Sequence, residues 1–149
     1  MRSLLIMLLA LVFLPLTACN SSHNSLKRKV VDLGSAEGCD ASVQSCLLAR
    51  EGIKLQLELE KSLRTLRPFH LQLHIEGIEQ PVEEVTVEFF MEGMEMGLNR
   101  YRLLYVENVW QGEITLPVCV AGRSDWRALV VVKSQQSRYH GVFRFHSSG

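Results

Sequence analysis

The methionines of this chain are not spread evenly along it. Apart from Met1 and Met7, which fall in an apolar N-terminal stretch, all three lie in one window, Phe89-Phe90-Met91-Glu92-Gly93-Met94-Glu95-Met96-Gly97. Thioethers are soft donors that stay unprotonated at any relevant pH, and with thiolates they select Cu(I) over hard ions. A Met-x-Met pair in extended backbone projects both sulfurs to one side, and flanking glycines let the chain bend so that they converge. Met94, Met96 and Cys119 are therefore the first candidates for a compact Cu(I) site of two thioethers and a thiolate. Met91 stands in support, although it also continues the apolar parity of Val85, Val87 and Phe89, which places it in the core.

The other donor types are less concentrated. His70 and His74 share a strand face but sit four residues apart, ~13 Å at strand rise, too far to bind one ion together. His140 and His146 are farther apart still, and all four read as solvated sheet residues. Glu83, Glu84, Glu92 and Glu95 are charges near turns, with nothing to pair them as acid and base. A Gly-rich phosphate loop, a His-Glu-x-x-His pair and a Gly-x-Ser-x-Gly elbow are all missing, so the expectation is a protein that is not an enzyme. With 16 basic and 16 acidic side chains the formal charge is zero. That excludes general electrostatic binding of nucleic acid, which needs a basic stripe.

Cysteine usage points to export. Leu4 to Leu14 is an unbroken apolar run behind Arg2. It is too short to span ~30 Å of hydrocarbon comfortably and has the length and flanks of a signal-peptide core. Leu16-Thr17-Ala18-Cys19 follows, and it resembles the bacterial lipobox, in which the cysteine is acylated and becomes the first residue. That resemblance implies a signal peptide over residues 1–18, a lipid anchor on Cys19 and a domain held in the periplasm. Asn20 in place of Asp favours the outer membrane. Residues 19–51 are expected to be a lipidated tether with a small disulfide loop, its Lys27-Arg28-Lys29 triplet either solvated or resting on anionic headgroups.

Beyond Cys19 an odd number of cysteines is left. Cys39 and Cys46 lie close enough to close a small loop in an oxidising compartment, leaving Cys119 as the free thiol. The competing pairings, Cys39–Cys119 and Cys46–Cys119, would remove that thiol as a ligand.

From residue 52 onward the hydrophobic period is two. Runs from Ile53, Phe69, Val85, Tyr101, Trp110, Trp126 and Tyr139 alternate apolar with polar residues and are separated by turn signals at Pro68, Gly77, Pro81, Gly97, Asn108, Pro117 and Gly122. Strict alternation marks strands with one buried face. Residues 52–149 are thus expected to form an all-β domain, an immunoglobulin-like antiparallel sandwich of about seven strands. Trp110 and Trp126 fall on buried parities and belong to its core. If consecutive strands alternate in direction, the methionine loop and the loop carrying Leu116-Pro117-Val118-Cys119 share one end of the sandwich.

The stretch from Phe89 to Trp126, with Met-x-x-Met-x-Met-Gly-x-Asn-Arg, Trp110-x-Gly112, Leu116-Pro117-x-Cys119 and Gly122-Arg123-x-x-Trp126, resembles small periplasmic β-sandwich proteins of proteobacteria. More loosely it is similar to YtkA-like and FixH-type domains. The resemblance implies copper handling, with an envelope metalloprotein or an oxidase assembly factor as partner. Those domains often place a histidine beside the methionine loop, where this chain has glutamates. The alternative expectation is an envelope lipoprotein that binds another protein through a sheet edge or loop end, without metal.

Overall fold

A computed structural model describes residues 28–94 and 96–148; the expected signal peptide and Cys19 lie outside the described residues. Ten strands follow in chain order: β1 (Lys29–Asp40), β2 (Cys46–Arg50), β3 (Ile53–Leu59), β4 (Pro68–Glu76), β5 (Val82–Phe90), β6 (Arg100–Arg102), β7 (Leu104–Val106), β8 (Val109–Thr115), β9 (Asp125–Ser134) and β10 (Ser137–His146). They form two five-stranded sheets, ordered β1-β10-β9-β5-β6 and β2-β3-β4-β8-β7. Every pairing is antiparallel except that of β1 with β10, which is parallel.

The two inner faces supply the core. Leu55, Leu57, Leu71, Leu73 and Ile114 come from one sheet, and Val85, Val87, Phe89, Trp126, Val130, Phe143 and Phe145 from the other; all are essentially inaccessible. Phe89 sits centrally, its ring edge-on to Phe69, Tyr101 and Phe145 at centroid distances of 6.5, 5.9 and 5.8 Å. Such crossed arrangements suit the ring quadrupoles. Gly141 on β10 lets the sheets close in, since a Cβ there would stand 2.8 Å from Leu48 and 3.0 Å from Leu55.

The strand count differs from the expected seven in two places. The fourth run, Tyr101 to Val106, is two strands in different sheets: β6 pairs with β5, β7 pairs with β8, and the chain crosses over at buried Leu103. The run stays apolar through Leu104, Tyr105 and Val106 although all three are exposed, so the sequence pattern alone cannot register the change of sheet. The segment expected to be a tether also enters the sandwich at Lys29 and contributes β1 and β2. β1 is an edge strand with only Leu33 fully buried and two register shifts against β10, so its sequence carries no clean period.

Two poles result. Loops 60–67, 91–99 and 116–124 lie at one end, joined there by Ser147 and Ser148, whose amides donate to the carbonyls of Ser124 and Leu63. Turns 51–52, 77–81, 107–108 and 135–136 lie at the other.

Candidate functional site

The methionine loop leaves β5 at Met91 and folds back at once, the Met94 amide donating to the Met91 carbonyl at 3.2 Å. Gly93 and Gly97 bracket the two outer methionines with φ of 73° and 68°, left-handed values that a side chain would resist. The facing loop leaves β8 through Leu116 and turns at 119–122, where the Gly122 amide donates to the Cys119 carbonyl at 3.0 Å.

These two turns bring the sulfurs together. Cys119 Sγ lies 3.6 Å from Met94 Sδ, its thiol directed at the thioether, across twenty-five positions of chain. Cys119 is free and only 7% exposed, while Met94 and Met96 are half-buried against the core. Met91 is 1% exposed and packs as a core side chain. The disulfide joins Cys39 to Cys46, so both competing pairings are excluded and the Cys119 thiol stays available.

Arg123, to which the motif assigned no role, holds the two loops in place. Arg123 Nη1 donates to the Glu92 carbonyl at 2.9 Å, and its Nε donates to Asp125 Oδ1 at 2.8 Å. The guanidinium therefore ties the methionine loop to the loop of Cys119. Hydrogen bonding to Arg123 holds the Asp125 carboxyl down to about 2, and the same bond raises the Arg123 pKa above its ordinary value. Arg127 on β9 holds the methionine loop to the sheet, 3.4 Å from Glu92 Oε1. Exposed apolar side chains surround the sulfurs at this pole: Leu98 at 79%, Val118 at 52% and Val120 at 96%.

The histidines do not join the site. His70 and His74 stay on the outer face of β4, and His146 Nδ1 pairs with Asp40 Oδ2 at 2.6 Å. Among the described residues no three His, Cys, Asp or Glu side chains gather to hold a metal ion. The donor set on offer is sulfur.

No family model, no curated protein and no solved structure matches the chain. The likeness to copper-handling domains rests on the motif residues alone, while the small all-β two-sheet sandwich it implied is the fold the chain has.

Proposed function

We propose that the protein is a lipid-anchored periplasmic domain that binds Cu(I) and hands it to an envelope partner. The observation that carries this is the contact of a free thiol with a thioether from a separate loop, 3.6 Å apart. Two sulfurs each ~2.3 Å from a shared soft ion, the length of a metal–thiolate bond, stand roughly 3.6–4 Å apart. Cys119 as thiolate and Met94 as thioether would be the first two ligands, and Met96 the third. Met91, held in the core, would act as packing behind them. The strand order supports an immunoglobulin-like assignment for β3 to β10, with β3-β4-β8-β7 facing β10-β9-β5-β6.

Titration of the reduced domain with Cu(I) against a competing chelator tests the site. The double variant Met94→Leu with Met96→Leu is expected to lose at least tenfold in affinity, ~1.4 kcal/mol. Equal binding by wild type and variant would end the copper assignment.

The exposed side chains of Leu98, Val118 and Val120 favour a second reading, a protein-binding module without metal. It differs in outcome: copper content of protein taken from copper-supplemented periplasm would be nil, and loop substitutions would change partner retention instead.

A further inference from the structure

We propose, on the premise that Cys19 is acylated, that the pole opposite the sulfurs is a membrane-resting face. The sandwich is open at that pole. A cleft of about 550 Å³ lies between the β4–β5 turn and the β7–β8 hairpin, its apolar wall formed by Ile75, Ile78, Tyr105 and Trp110 and its polar wall including Glu79 and Asn108. The Tyr105 and Trp110 rings lie 5.1 Å apart at the cleft edge. Tyr105 is 57% exposed, and its strand neighbours Leu104 and Val106 are 64% and 42% exposed. β7 is the outermost strand of its sheet, and its hairpin turns through Glu107 and Asn108, both in left-handed conformation. Behind this polar tip the strand exposes Tyr105 on one side and Leu104 and Val106 on the other. Tyr and Trp are the side chains that settle at the boundary between lipid and water.

The place where the described chain begins argues for lipid as the occupant. Arg28 donates to the Ser134 carbonyl at 3.0 Å and pairs with Glu83 at 3.1 Å. Gln80, a wall residue of the cleft, bonds to Ser134 Oγ and to the Gln136 amide. Arg28 is thus fixed at the same pole as the cleft. Cys19 lies nine positions upstream, 28 − 19, and nine residues reach ~30 Å at most. An acyl anchor on that leash holds this pole, and not the sulfur pole, against the bilayer. Tethering at millimolar effective concentration lets a small apolar contact suffice. Glu79 lines the cleft and Glu83 and Glu107 lie beside it, so the face suits zwitterionic lipid better than anionic lipid.

The test uses the acylated chain from Cys19 onward in phosphatidylcholine–phosphatidylethanolamine vesicles, with and without brominated phosphatidylcholine, which quenches nearby indoles. Trp126, 1% exposed at the start of β9, serves as the internal reference. Emission is expected to fall by roughly a third or more in brominated vesicles, as befits an interfacial Trp. Trp110→Phe should abolish the fall, and Leu104→Ser with Tyr105→Ser should reduce it while leaving Cu(I) affinity as in wild type. Unchanged emission in a chain whose acyl mass is verified overturns the docking face and leaves the anchor standing. A chain without the acyl mass overturns both. Trp110 shielded from bromine and acrylamide alike, in a chain that cross-links as a dimer, assigns the face to a second copy and overturns the lipid contact.

Discussion

Cys119 and Met94 touch because a thiol past the end of β8 and a thioether past the end of β5 share one small volume. Cys119→Ala keeps the site's shape while deleting the sulfur, so Cu(I) affinity is expected to drop at least tenfold, ~1.4 kcal/mol, with a native circular dichroism spectrum. Arg123→Ala should act differently: it removes the tie to the Glu92 carbonyl and slackens the loops while keeping all the sulfurs, so affinity falls less than with Cys119→Ala. Asp40 sets an acid response elsewhere. Partial burial pushes its carboxyl up, but the Ser42 hydroxyl and His146 ring outweigh this and hold it below the ordinary 3.8. A carboxylate depressed by folding adds stability above its unfolded value, and that stability is lost as pH falls from there through the folded value. Urea unfolding between pH 5 and pH 3 should show stability declining, with a shallower decline in Asp40→Asn.

Gly77, between β4 and β5, has φ of +82°, and a Cβ there would come 2.1 Å from the Gly52 carbonyl oxygen. Gly77→Ala is expected to cost at least ~1 kcal/mol in chemical denaturation, because the backbone contact cannot yield. The Cys39–Cys46 bridge ties the end of β1 to the start of β2. Replacing both by serine should cost ~2–3 kcal/mol, mainly by freeing the unfolded chain, with no change in copper affinity. All seven alternating runs in the sequence became strands, and all but the fourth, whose β7 half is exposed at every residue, set one face against the opposite sheet. β1 and β2 escaped notice because edge strands bury too little to impose a period: in β2 only Cys46 and Leu48 are buried. The crossing at Leu103 was hidden because the residues after it, Leu104, Tyr105 and Val106, stay apolar although they are exposed in another sheet. Trp110, expected in the core, is half-buried because its strand reaches the open mouth of the sandwich. The meeting of Met94 with Cys119 was legible only through loop order. Arg123 stood in the motif with Gly122 and Trp126, but its tie was not legible, since nothing local in sequence links it to Glu92, thirty-one positions away.

The molecule as a whole is polar in the geometric sense, with sulfur and exposed Leu98, Val118 and Val120 at one pole and the start of the described chain at the other. β10 alone runs ten residues between them, ~33 Å at strand rise. Under the proposed anchoring through Cys19, the sulfurs would face away from the lipid, where a partner protein could approach them. The parallel pairing of β1 with β10 has a mechanical consequence. The two strands run side by side from Lys29 beside Ser137 to Asp40 beside Arg144. A pull between the start of β1 and the far end of β10 drives them past one another along their length. The cross-strand bonds are then loaded together in shear, where a hairpin tugged at its open end would unzip them singly. A domain held at one end while a partner drags on the other is braced along the line of force.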